Sequence, residues 1–416
     1  MHPSEIPANP MIEKLKQGLA SGSKTALDEF WQSVFNYGTP LIEPIEGDRS
    51  HMLVTFLWRG TDDLRNVVVV DGIAGADFAA NQLTRLPGTD VWYKSYCTRK
   101  DVRTVYTFSV NDPLLNEEDP GWAEHQSALF APDPLNPRLF LGEDSLLELP
   151  DAPPEPWIVH LPDVPPGQVT RQRFQSRLLR NERDLWIYTP PGFMPETGAY
   201  PWMLLFDGGG YISLPTPIIL DNLLAAGRIP PVVGIFVGNA SGARTHELTC
   251  NERFLAFLCQ ELLPWVHERY AITNDPKQVV VGGVSYGGLT AAFGALRHPD
   301  VFGNVLSQSG AFWWVPGLDD RKIAPRGAEQ NWLLHQYVKS APLPVRFHLS
   351  VGLLEKSVPA RNITSTTLSV NSQFQEILET KGYDVTCAEF PGGHDFAGWR
   401  GILPEAIESL LGQLAR

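Results

Sequence analysis

The chain has 416 residues, more than one compact core accommodates, which predicts two domains. Its 43% hydrophobic and 19% charged residues are those of an ordinary soluble globular protein, and a net charge of −14 argues against nucleic acid as a partner. The acidity is uneven: residues 1–168 hold 12 Lys and Arg against 25 Asp and Glu, the remainder 21 against 22, so the back half can still receive an anionic ligand.

The opening "MHPSEIPANPMIEKLKQGLA" reads as an amphipathic helix without the apolar core of a signal peptide. No run of roughly 18 uncharged apolar residues appears, so no membrane span or membrane partner is expected. Helices are expected at about residues 10–20 and 25–36. Short alternating runs follow, "MLVTFLWRG", "NVVVVDGI", "DVWYKSYC" and "RTVYTFSVN", separated by Gly, Pro and Asp. Such runs imply a smaller β-sandwich domain of immunoglobulin-like type over residues 1–149. Seven of the 17 residues from 150 to 166 are proline, which predicts a stiff extended linker over 150–168. The cysteines Cys97, Cys250, Cys259 and Cys387 lack metal-ligand spacing and fit reduced cytoplasmic thiols, with no metal site expected.

From residue 169 to 416 the pattern changes. "DLWIYTPP", "PWMLLFDGGG", "VVGIFVGN", "QVVVGGVS", "NVLSQSG", "RFHLSVG" and "VTCAEFPGG" are apolar strands ending in small or turn residues, with helical stretches between several of them. This alternation predicts a doubly wound, mostly parallel α/β sheet whose ligand lies beyond the carboxyl ends of the strands.

Ser285 stands at such an end, in "VVVGGVSYGG", flanked by Gly283 and Gly287. A G-x-S-x-G between a β-branched strand and a helix is the pattern of a serine lifted into a strained turn, where a Cβ on either glycine would collide with backbone. A hydroxyl is a weak nucleophile and needs a base held by an acid. His394, in "EFPGGHDFAGWR", follows a later strand and fits the base; His348 falls inside a strand and His267 and His298 in helical segments, where packing or surface roles are expected. Glu355, in "SVGLLEKS", follows the intervening strand and leads as the acid over Asp384, which precedes its strand, and Asp395, too close to the base in the chain. Oxyanion donors are expected at the amide of Tyr286 and in the loop "LLFDGGGY", where glycines 208 to 210 permit close backbone approach.

Together "LLFDGGGYISLPTPIILDNL", "RTHELTCNERFLAFLCQELLPWV", "VVVGGVSYGGLTAAFGALRHPDVFGNVLSQSGAFWW", "SVGLLEKS" and "EFPGGHDFAGWR" resemble the enterochelin (enterobactin) esterase family, in the esterase D group of α/β-hydrolases. "GTPLIEP", "VTFLWRG" and "LTRLPGTDVWYKSY" are similar to that family's N-terminal domain. The resemblance implies a serine esterase that opens a catecholate-bearing triserine trilactone through an acyl-enzyme, releasing iron in the cytoplasm. Iron enters only with the siderophore substrate, and no cofactor is implied. It carries Ser285, His394 and Glu355 over as the triad, Gly209, the residue after Asp207-Gly208, as an oxyanion donor, and Asp207 and Arg244 of "RTHEL" as substrate-binding residues, Arg244 as a ligand-facing cation, the alternative being a surface pairing with Glu247. Trp313 and Trp314 fit catechol stacking or the core equally. The family departure is the glycine-rich "FDGGGY". The rival functions are a broader carboxylesterase of feruloyl or acyl-sugar type and a non-catalytic siderophore-binding protein, the latter disfavoured because every catalytic position is filled.

Overall fold

The computed structural model describes residues 6–115, 130–319 and 322–415. The chain divides into two compact units, Met1–Pro153 with Pro391–Gly398, and Pro154–Phe390 with Trp399–Arg416. The division falls within the proline-rich stretch, which forms no regular helix or strand until Gln168. A short segment from the back of the sequence, 391–398, packs with the front unit, whereas the sequence reading kept residues 169–416 together.

In the front unit, helix Pro10–Ala20 starts where the Asn9 side chain accepts the amides of Met11 and Ile12, with Pro10 at the first position, where a missing N–H costs nothing. Its Ile12 and Leu15 pack with Phe30, Trp31 and Val34 of helix Ala26–Tyr37. The strands β1 (Leu41–Ile45), β2 (Asp48–Arg59), β5 (Val91–Arg99) and β4 (Thr84–Arg85) form one antiparallel sheet in the order β1-β2-β5-β4. A second antiparallel sheet runs β3 (Val67–Val70), β6 (Arg103–Val110), β9 (Asp144–Glu148), β8 (Leu139–Phe140), with β7 (Phe130–Ala131) also on β6. Phe56 of β2 joins the sheets through Tyr106 and Phe108 of β6, at ring separations of 4.7 and 6.4 Å.

The back unit holds one eight-stranded sheet: β10 (Gln168–Ser176), β11 (Asn181–Thr189), β13 (Val233–Val237), β12 (Trp202–Phe206), β14 (Val279–Val284), β15 (Asn304–Gln308), β16 (Arg346–Gly352) and β17 (Asp384–Phe390), in that spatial order. β10, β11 and β13 pair antiparallel; the remaining pairs are parallel. "WMLLF", "VGIFV" and "VVVGGV" are buried throughout, as strands covered on both faces must be. The result is an α/β-hydrolase-type sheet. From β12 the chain passes to β13 on one side, then returns to β14 on the other side of β12. Such a reversal opens a crevice at the carboxyl ends of β12 and β14, where Asp207 and Ser285 follow.

Candidate functional site

Ser285 adopts φ 54°, ψ −115° between β14 and helix Tyr286–Arg297. That conformation costs a non-glycine residue on the order of 1–3 kcal/mol and persists only where surroundings dictate it. Here its N–H donates to the Gln308 carbonyl at 2.9 Å, and its own carbonyl accepts the amides of Leu289 and Ala311 at 3.1 and 3.0 Å. A Cβ on Gly283 would lie 2.8 Å from Gly287 Cα, so that glycine is a steric requirement of the turn, whereas one on Gly287 would meet the Phe206 side chain at 3.3 Å rather than the backbone expected there. Ser285 itself remains half-buried.

Tyr286 is the first residue of its helix. The glycine run expected as a loop opens a six-residue helix, Gly208–Ser213, after Asp207 at φ 55°. Amides in a first helical turn have no acceptor within the helix, so the N–H groups of Tyr286 and Gly209 are donors at the ends of neighbouring strands. A Cβ at Gly208 would sit 2.5 Å from the Phe236 carbonyl carbon, whereas at Gly209 it would meet only Trp186 at 3.6 Å.

Arg244 donates through Nε and Nη2 to Asp207 at 2.6 and 2.7 Å, and the Asn239 amide adds a 2.6 Å bond to the same carboxylate. Its guanidinium carbon lies 5.7 Å from the Tyr286 ring centre. The alternative partner, Glu247, is instead buried in a pair with Arg183 at 2.8 Å and accepts from Asn181. Trp313 and Trp314 are 5% and 9% exposed, packed with Tyr286 and Trp332 respectively, so they are core side chains with little ring area for a catechol.

Glu355 lies in the loop after β16, 7% exposed, where its Oε1 accepts from Ser309 Oγ at 2.5 Å and the Gly352 amide at 2.7 Å. Ser309 Oγ in turn accepts from Trp399 Nε1 at 2.8 Å. Asp384 opens β17, at the opposite end of the strand from the crevice side, with an exposed carboxylate 3.2 Å from Arg346. Asp395 is half-buried, its carboxyl pushed up by desolvation, and it accepts from Thr104 Oγ1 and the Gly398 amide. His394 follows β17 in the segment that packs with the front unit, while Ser285 and Glu355 belong to the back unit. His348 is wholly buried in β16 against Ser409. The sequence reading missed Ser309, Trp399 and Asn239. Ser309 carried a local signal, a serine before glycine directly after β15, and it too has a positive φ of 49°.

The four cysteines are unpaired thiols. Among the described residues no group of three or more His, Cys, Asp or Glu is placed to hold a metal ion, and no helix is long and apolar enough to cross a membrane.

A serine so held at the end of a central strand of this sheet marks the α/β-hydrolase class of esterases. The family described as putative esterase matches residues 176–410, and that described as enterochelin esterase, N-terminal, matches 53–158. The chain is 31% identical to the iron(III) enterobactin esterase of Dickeya dadantii (strain 3937), over 94% of this chain and 95% of that protein. It is 28% identical to the iron(III) salmochelin esterase of Escherichia coli O6:H1, over 99% and 98%. The crystal structure of the Shigella flexneri enterobactin esterase in the presence of enterobactin matches with a TM-score of 0.71 at 26% identity, covering 93% of this chain and 98% of that one. The chain belongs to the enterochelin esterase family and is an ester hydrolase.

Proposed function

We propose that this protein hydrolyses the ester bonds of a ferric catecholate trilactone siderophore of the enterobactin type. The observation that carries the reading is the strained turn of Ser285 at the crevice between β12 and β14, in a chain that matches siderophore esterases from end to end. Ser285 Oγ attacks the ester carbonyl while His394 takes its proton and Glu355 orients the imidazole. The oxyanion accepts the amides of Tyr286 and Gly209. Collapse expels the serine hydroxyl of the trilactone, which receives the proton from His394, and leaves an acyl-enzyme. Water, deprotonated by His394, then frees the acid and restores Ser285. Arg244, its Nε edge held by Asp207, offers its remaining Nη edge to catecholate oxygens. Iron is cargo of the substrate. The unpaired thiols support a cytoplasmic setting for its release. The two antiparallel sheets meeting at Phe56 support reading the front unit as an immunoglobulin-like sandwich, and the prolines of 150–168 support a stiff connector.

Ser285→Ala tests the reading, with products followed from iron-loaded and iron-free enterobactin. Hydrolysis should fall on the order of 10⁴-fold or more with the melting curve unchanged; activity within about tenfold of wild type would refute it.

A further inference from the structure

The residues on either side of His394 are fixed by the front unit. The Arg103 amide donates to the Pro391 carbonyl at 3.0 Å, tying the start of segment 391–398 to β6. Next along β6, Thr104 donates its hydroxyl to Asp395 Oδ2 at 2.5 Å. Asp395 Oδ1 accepts the Gly398 amide at 3.0 Å, so the same carboxylate caps the start of helix Phe396–Leu411. On the other side, a Cβ at Gly393 would lie 3.0 Å from both Thr104 Oγ1 and Asp395 Oδ2, and 3.9 Å from Gly72 Cα. Thr104 is completely buried, and its hydroxyl proton has a charge-accepting oxygen as its target. A carboxylate partly withdrawn from water is costly unless hydrogen-bonded, so a threonine here, where valine would fill the same strand position, is explained by Asp395.

We propose that the front unit mounts the proposed base: Thr104, acting through Asp395, is a positioning residue for His394. The proposal rests on the assignment of His394 as the base of the triad.

The test uses the full chain with Thr104→Val, Thr104→Ser, Asp395→Asn and Ser285→Ala, assayed on enterobactin and on p-nitrophenyl acetate. Thr104→Val removes only the hydroxyl and should lower kcat on both substrates about 10- to 100-fold with KM nearly unchanged, because displacing a catalytic group by about 1 Å costs on that scale. Asp395→Asn should follow it, and Thr104→Ser, which keeps the hydroxyl, should restore most of the rate. If Ser285→Ala is inactive while Thr104→Val stays within about twofold of wild type, the mounting role is refuted and the triad stands. An active Ser285→Ala refutes the triad beneath it. A loss in Thr104→Val that appears in KM, or that tracks its unfolded fraction by melting, also overturns the positioning role.

Discussion

Replacing Arg244 with alanine separates recognition from chemistry. Its Nε and one Nη2 proton are spent on Asp207, at 2.6 and 2.7 Å, and the edge formed by Nη1 and the second Nη2 proton is the one suited to a pair of catecholate oxygens. A hydrogen bond to a charged group contributes about 1.5–3 kcal/mol. The Arg244 side chain is 37% exposed, so solvent screening reduces that to about 1–2 kcal/mol. Arg244→Ala should therefore lower kcat/KM for enterobactin about 5- to 30-fold. The variant also strips Asp207 of two bonds, but the Asn239 amide keeps that carboxylate partnered. Hydrolysis of p-nitrophenyl acetate, which has no catechol, should therefore change by less than about threefold. Lysine should recover only part of the loss, because an ammonium lacks the planar fork. Asp207→Asn should reproduce part of the defect alone and add nothing to Arg244→Ala, since Asp207 works through the arginine. Parallel kinetics of wild type, the three single variants and the Asp207→Asn/Arg244→Ala double variant decide it: equal losses on both substrates would refute the recognition role.

Glu355→Gln should lower kcat at least about 100-fold by removing the charge proposed to orient the base, whereas Asp384→Asn, at an exposed strand start, should stay within about twofold of wild type. A glutamine variant more active than the asparagine variant would move the acid elsewhere. His348, wholly buried in β16, has its pKa pulled down to about 4 by burial from an ordinary 6.5. The unfolded chain binds that proton first, so this contribution to stability is complete above pH 6.5 and drains away as the pH falls toward 4, by roughly 3 kcal/mol in full. His348→Gln should flatten the fall in melting midpoint between about pH 7 and 5, and an unaltered slope would refute the assignment.

Strands of one character were readable from the sequence. β12, β13 and β14 are unbroken apolar runs because both faces are covered, and the turn at Ser285 announced itself through Gly283, which sterics demand. β10 was not recognised. "QVTRQRFQS" is an edge strand paired only with β11, and its Arg171 and Arg173 reach across to Asp184 and Glu182, so nothing in it looks like core. The glycines of "FDGGG" suggested a loop on propensity, yet they begin a helix. Gly208 is there because Phe236 backbone leaves no room for a Cβ, a constraint set by a strand about 28 residues away in the chain. The attachment of segment 391–398 to β6 is unreadable for the same reason: it runs through Thr104, 291 residues from Asp395.

Charge pairing was the least readable layer, and it changes how the site is understood. The sequence left a surface pair with Glu247, three residues on, as the alternative for Arg244; the fold pairs Arg244 with Asp207 and buries Glu247 against Arg183. Arg400 is likewise matched by Glu155, through two bonds of 2.8 and 2.6 Å. A cation already opposed by a carboxylate contributes little net field at a distance. What Arg244 retains is direction: a fork whose plane is set by Asp207 and whose free edge accepts only ligands with two oxygens spaced to meet it. Adjacent catecholate oxygens have that spacing, whereas a simple acetate ester does not. In the proposed role of Arg244, selectivity at this position follows from geometry held by Asp207 and Asn239, and the near-neutral back half of the chain is no obstacle to binding an anion.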